Sequence, residues 1–292
     1  MKNKITKKEL KTFNILKKIL NSKIRTSIIL HLYSGEKNLF ELRSLCDIPS
    51  SSISHSLKSL KDMEILKKKG KTVKLTTKGY MIAINLIKLI ESWHLLVIRE
   101  EFWSNHDTRS IPENLFDSFH LLTNMESIKS SINNISKPLT SFLDSMQTTK
   151  NLKIVLPNFS KQQFNSIMQL IEKDQIEVKM IVSQKLMSYL ETTNFKSKIK
   201  EHLTSGKLKI NEINEEKTLF LAIGEKFIYI GFFFKDGHYD DSTLFYSDEK
   251  EAILWGKKLF KYLNEETISN LFLNSILIEK LESEPHEHKS KI

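Results

Sequence analysis

Apolar residues recur at two periods along this chain, and the change from one to the other divides it. Over residues 8–20, Leu10, Phe13, Ile15, Leu16 and Leu20 make a rough helical face. Ser22, a good N-cap, precedes a second helix carrying Ile24, Ile28, Ile29, Leu32 and Tyr33, and Gly35 supplies its stop. Leu39, Leu42 and Leu45 mark a short third helix, and Asp47-Ile48-Pro49 a turn. From Pro49 to Lys61, Ile53, Leu57 and Leu60 stand at i, i+4 and i+7, so a fourth helix is predicted with Ser50 as its cap. Between Ile65 and Thr76 two short strand-like runs flank Gly70, the pattern of a β-hairpin. Residues 77–103 are apolar on nearly every side, from Met81 and Ile82 to Trp93 and Ile98. Such a helix must be covered by its own chain, another domain or a second subunit. Another helix is expected over 112–123, with Leu115, Phe119 and Leu122 on one side.

Beyond about residue 125 short alternating runs enter. Residues 126–147 read as helix, 151–156 as a strand ended by Pro157, 160–173 as an amphipathic helix and 176–182 as a strand. Residues 184–204 read as helix. Strands follow at 207–213, 218–223, 226–234 and 243–246, then a helix over 248–264. The tail, 266–292, opens as an apolar helix and ends in charged residues. The expected class is α+β: a helical module with a hairpin over 8–80, linker and dimerisation helices over 81–124, an α/β domain over 125–265, and the tail.

Charge sharpens this division. The 292 residues carry a net +10, but the first 80 hold 19 Lys and Arg against 6 Asp and Glu, or +13, leaving −3 for the rest. A basic head on a mildly acidic body fits polyanion binding by the head. The outward face of the fourth helix shows Ser51, Ser52, His55, Ser56, Lys58, Ser59 and Lys61, with no carboxylate before Asp62. Short hydroxyls and cations suit a helix lying against phosphates and base edges. The candidate DNA contacts are Ser50, Ser51, Ser52, Ser54, His55, Lys58 and Lys61 on the helix, and Lys67, Lys68, Lys69, Lys71 and Lys74 on the hairpin.

Helix, helix, turn, helix and basic hairpin in this order form a winged helix-turn-helix. Leu39-Phe-Glu-Leu, Ser51-Ser-Ile-Ser-His-Ser-Leu-Lys-Ser-Leu, Met63-Glu-Ile-Leu and Leu75-Thr-Thr-Lys-Gly resemble the ArsR- and MarR-type regulators. Two further stretches, Phe102-Trp103-Ser-Asn-His106-Asp107 through Ile111-Pro112, and Lys235-Asp236-Gly237-His-Tyr239-Asp240 with Trp255-Gly256-Lys-Lys-Leu259-Phe260, resemble the filR-type transcription regulators of methanogenic archaea. The resemblance spans 20–263 and implies a C-terminal sensor-like domain laid out like half of a phospholipase-D fold. Double-stranded DNA, a second copy of the chain and an unidentified small-molecule or protein effector are the expected partners, with an inverted-repeat operator whose half-sites lie about one helical turn or a multiple apart.

Catalytic and cofactor patterns are sparse. A phospholipase-D-type enzyme needs His-x-Lys, and none of the nine histidines has Lys two positions on. There is no Gly-x-Ser-x-Gly, P-loop or Gly-x-Gly-x-x-Gly, so a regulator is expected, without cofactor or enzymatic activity. The alternatives are a nucleic-acid-acting enzyme docked by the winged helix, or an RNA-binding or chromatin-type protein. The single cysteine, Cys46, reads as a small buried hydrophobe and excludes an internal disulfide. His286-Glu-His288 sits in the charged tail, where solvation is the expected role. Tyr189, His202, Tyr229, His238 and Tyr246 are candidates for a sensor pocket, while Trp255 and Phe260 read as core. The N-terminus lacks the apolar stretch of a signal peptide, and Lys88, Glu91 and His94 interrupt the 80–98 run, so a cytoplasmic protein without membrane partner is expected.

Overall fold

The structure, a computed structural model, describes residues 6–158, 160–173, 176–213 and 217–267. Two compact units divide at Trp93 and His94. The first contains α1 (Lys7–Leu20), α2 (Lys23–Tyr33), β1 (Lys37–Asn38), α3 (Leu39–Cys46), α4 (Ser50–Asp62), β2 (Leu66–Lys69), β3 (Thr72–Leu75) and the start of α5 (Thr77–Val97). Helices α2 and α3 are fixed at their N-termini by side chains. Ser22 Oγ accepts the Arg25 N–H at 3.3 Å, and Asn38 and Glu41 form a reciprocal capping box. Ile28, Ile29, Leu42, Ile53, Leu60 and Ile65, none of them exposed, close the core with Ala83 and Leu86 of α5.

Three details depart from the pattern-based reading. Ser50 is the first helical residue of α4 and Pro49 takes the cap position, because the Pro49 carbonyl already accepts the first intrahelical bond, from Ile53 N–H. Ser56 is buried at 5% exposure, since i+3 from Ile53 and i−4 from Leu60 put it on the core side. Cys46 is only half-buried, with the Ser27 hydroxyl 3.5 Å from its sulfur.

Helix α5 is likewise not apolar and covered throughout. Gly79, Ala83 and Leu86 are buried, yet Met81 and Trp93 are 61% and 65% exposed. By length and composition alone it could cross a bilayer, despite Lys88, Glu91 and His94. Ala83 and Leu86 anchor it in the first unit's core.

The second unit follows with α6 (Glu100–Asn105), β4 (His106–Asp107), α7 (Glu113–Phe116), a 3₁₀ turn (Phe119–Leu122), β5 (Glu126–Lys129), α8 (Lys137–Met146), β6 (Asn151–Leu156), α9 (Lys161–Glu172), β7 (Glu177–Ser183), α10 (Gln184–Glu191), α11 (Lys196–Thr204), β8 (Leu208–Ile213), β9 (Leu219–Ile223), β10 (Ile228–Phe234), β11 (Thr243–Ser247) and α12 (Lys250–Glu265). The sheet runs β5-β11-β10-β9-β6-β7-β8, with β4 added to β10. Strands β6, β7 and β8 are parallel, and the remaining pairs are antiparallel. One face packs Leu152, Ile154, Val178 and Ile210 on α8 to α11; the other packs Val155, Leu221, Ile230 and Phe245 on α12. Both faces of the central strands are therefore covered, which is why β9 is buried at all five positions.

Expected strands and helices from 151 onward are present, with the 184–204 helix broken into α10 and α11. The helix expected over 112–123 is instead a single turn, α7, and a 3₁₀ segment. The helix expected over 126–147 begins as a strand, β5, because Ser127 and Ile128 pair with Phe245 and Leu244 of β11. Trp255 is fully buried and donates its indole N–H to the Leu115 carbonyl at 3.1 Å, and Phe260 is buried beside it. The tail from residue 268, including His286 and His288, lies outside the described residues.

Candidate nucleic-acid interface

Strands β2 and β3 register Leu66 against Leu75, Lys67 against Lys74, Lys68 against Val73 and Lys69 against Thr72. Side chains opposite one another share a face, so the hairpin sorts its lysines into two sets. Lys68 shares a face with Leu66 and Val73, which pack on the core, whereas Lys67, Lys69 and Lys74 share the other. Lys69 ends in an ion pair with Glu36 at 3.2 Å. Alike in the sequence pattern, the five hairpin lysines are separated by the register.

Between α4 and the hairpin lies a cleft of about 550 Å³. Lys58 and Lys61 come to it from α4, and Lys67, Lys68 and Lys71 from the hairpin, with Ser54 between them. None of these five lysines has a carboxylate partner among the described residues. Lys67 and Lys74 face each other directly across the two strands, a like-charge arrangement that costs stability until an anion neutralises it.

The remaining candidates are arranged around the start of α4. Ser51 and His55 are exposed, Ser50 and Ser52 half-buried, and Lys74 half-buried on the hairpin. Helix α4 has no side-chain cap, unlike α2 and α3, so its first-turn N–H groups are left without a side-chain acceptor. An uncapped helix N-terminus attracts phosphate through those N–H groups and the helix dipole. Beside it, Phe40, Arg43 and Ser44 of α3 line a second hollow with Asp47 and Pro49. Arg43 and Phe40, the latter 78% exposed, were missed as candidates; the signal was that α3 leads straight into the turn before α4.

In the second unit the residues proposed for a sensor pocket do not converge. Tyr189 and His238 are exposed, and His202 is buried among helix α11 residues. Tyr229 is a core residue whose hydroxyl lies 3.0 Å from Ser141 Oγ and 2.8 Å from Ser145 Oγ; only Tyr246 packs near it. The two family-like stretches do come together. His106 Nδ1 lies 2.8 Å from the Phe102 carbonyl, and Nε2 lies 3.1 Å from Asp240 Oδ2, with both side chains about 95% buried. Phe102 stacks on the His106 ring at 3.6 Å. Asp107 holds Arg109 through paired bonds of 2.7–3.0 Å, and that hydrogen bonding keeps its carboxyl below the usual range despite burial. These contacts tie β4 to β10 and serve the architecture.

Family models match over most of the chain. Residues 13–94 match the N-terminal domain, and residues 135–266 the middle domain, of the methanogenesis regulatory protein FilR1. The chain is 24% identical over 273 residues to methanogenesis regulatory protein FilR1 of Methanothrix harundinacea, an alignment that covers 89% of this chain. It spans 60% of that relative's length. Among solved structures, TrmBL2, an archaeal chromatin protein whose structure shows a novel mode of DNA binding, is 15% identical, with a TM-score of 0.38 and coverage of 87% of this chain and 97% of its own. NucT from Helicobacter pylori is also 15% identical, with a TM-score of 0.36 over 50% of this chain and 98% of its own.

Proposed function

This chain belongs to the FilR1 family of methanogenesis regulatory proteins, and from that premise we propose that it is a DNA-binding transcription regulator. In this reading the first unit is a winged helix-turn-helix of ArsR- and MarR-like type. Helix α4 enters the major groove with Ser51, Ser52, Ser54 and His55 toward base edges, and the β2–β3 wing lies on phosphates. The single observation that carries it is the cleft of five carboxylate-free lysines between α4 and the wing, beside a helix N-terminus without a side-chain cap. The second unit, a mixed sheet between helix layers with the half-phospholipase-D layout that the resemblance implies, is read as a sensor and not as an enzyme.

A homodimer is part of the proposal. Leu10, Phe13 and Leu20 of α1 and Met81, Leu89, Ile90 and Trp93 of α5 are all more than 40% exposed on the first unit. Covering one such side chain is worth about 1.5–3 kcal/mol, so several together favour a two-fold partner strongly. Two α4 helices would then read an inverted repeat with half-sites about 10 base pairs apart. Selection from random duplexes, followed by anisotropy titration against the selected duplex, its single strands and an RNA of the same sequence, tests the reading. Preference for the duplex supports it; equal or tighter binding to RNA, or no preferred duplex, refutes it. A monomer by analytical ultracentrifugation at micromolar concentration removes the dimer.

A further inference from the structure

In the second unit, a cavity of about 450 Å³ opens where β6 gives way to α9. Its walls are Leu139 and Phe142 of α8, Phe220 of β9 and Leu244 of β11, and its polar lining is Asn158, Ser160, Gln163, Tyr239 and Asp241. Crevices beyond the carboxyl ends of parallel strands are where open α/β sheets hold ligands. This one lies beyond Leu156, the last residue of a strand that has a parallel neighbour, β7, on one side and an antiparallel one, β9, on the other.

Two polar groups here lack a hydrogen-bond partner among the described residues. Gln163 is 94% buried on the first turn of α9; its backbone N–H is held by Ser160 Oγ at 3.3 Å, while its side-chain amide has no hydrogen-bond partner among the described residues. The Tyr239 hydroxyl is equally unpaired, and burial pushes its pKa well above the ordinary tyrosine value. That hydroxyl reaches the cavity floor only because position 231 is glycine: a Cβ there would stand 2.6 Å from the hydroxyl oxygen and 2.8 Å from Leu244 Cδ2.

We propose that this cavity binds a small, neutral molecule bearing a carboxamide-like edge, with Gln163 and Tyr239 as its hydrogen-bond partners and Leu139 against its apolar part. The Gln163 amide presents a donor beside an acceptor, the complement of another carboxamide. Asp241 is the single charged residue among the described lining residues and disfavours carboxylates and phosphates. The positive pull of the α9 N-terminus is partly answered already by Ser160 Oγ. The site stands on its geometry; its role as the effector site of a regulator rests on the proposed function.

Benzamide is the probe, benzoate its anionic control, and methyl-labelled leucine spectra of the full chain the readout. Saturable millimolar shifts confined to Leu139 and Leu244 with benzamide, weakened at least tenfold in Gln163→Met and absent with benzoate, are expected. Unshifted Leu139 and Leu244 signals, or equal shifts in Gln163→Met or with benzoate, overturn the site. Should Gln163→Met melt lower than the parent, Leu139→Trp, which fills the cavity mouth, must abolish the Leu244 shift, and its persistence overturns the site. Duplex affinity with and without benzamide separates the two levels: shifts at the site with unchanged affinity overturn the effector role and leave the pocket standing.

Discussion

Replacing Lys67 and Lys68 together by Gln should flatten the salt dependence of duplex binding. Both are exposed at the cleft between α4 and the wing, and neither has a carboxylate partner among the described residues, so each is free to displace a counterion from phosphate. Each phosphate contact contributes about 0.9 to the slope of log affinity against log salt. Five cleft lysines give a slope of about −4.5 per chain, and the double variant should lower its magnitude by about 1.8. At about 0.15 M salt that corresponds to roughly thirtyfold weaker binding, uniform across sequences. Lys69 is the internal control. Its ammonium is already 3.2 Å from Glu36, so Lys69→Gln should change the slope by less than about half a unit. Anisotropy titrations of one labelled duplex at several salt concentrations measure all three proteins. An unchanged slope in the double variant, or a Lys69→Gln effect as large per lysine, would refute the distinction between the cleft lysines and the lysine already paired with Glu36.

Three stability predictions follow from the packing. Gly79→Ala gains about 1 kcal/mol of helix propensity, but its Cβ would stand 2.2 Å from the Ile65 carbonyl oxygen, a backbone atom that cannot rotate away; urea unfolding should show a net loss of about 1–3 kcal/mol, and a stabilised variant would contradict the contact. Asp240→Ala removes the buried partner of His106 together with the acceptor of the Ser242 N–H at 3.0 Å, and should cost about 3–5 kcal/mol, seen as a melting temperature lower by roughly 10 °C. Burial raises the Glu225 pKa, but bonds from Thr149 Oγ1, the Asn151 side chain and the Lys150 and Asn151 N–H groups outweigh it and bring it from 4.5 to about 2. Because the folded value is the lower one, the stabilisation is present above about pH 4.5 and is lost as pH falls toward 2. With Glu225 exposed to solvent, it amounts to about 1 kcal/mol or less. Glu225→Gln should therefore melt less steeply with acid over that window, and an identical pH profile would rule the clamp out.

Sequence periodicity carried the first unit because its elements are short-range. Ile53, Leu57 and Leu60 announce α4 whatever else the chain does, and Gly70 between lysine-rich runs announces the hairpin. Ser56 escaped because a serine at a core-facing position looks like its solvated neighbours. Its burial is visible only from its spacing to Ile53 and Leu60. Strand β5 escaped for another reason: Glu126-Ser127-Ile128-Lys129 has no apolar alternation, and pairing with Thr243–Tyr246 makes it a strand. Pairings of that span, like His106 with Asp240, leave no local trace. Nor does the Gln163–Tyr239 cavity, whose two polar groups stand on a helix and in a turn far apart in sequence.

The sheet order also sets a timetable. Lys129 of β5 waits for Thr243 of β11, and β10 stays an open edge until β11 follows it. The first unit has no such dependence, since its three-stranded sheet closes by Leu75 and its core is complete by Leu86. At about 5–20 residues per second, the stretch from Trp93 to Ser247 takes on the order of ten seconds to synthesise. During that interval a nascent chain already carries its finished basic module, while the long-range sheet behind it is still incomplete, a slow and aggregation-prone topology. A message truncated between Phe234 and Thr243 would therefore release a formed basic module attached to exposed strand edges, with both β5 and β10 lacking the neighbour that closes them.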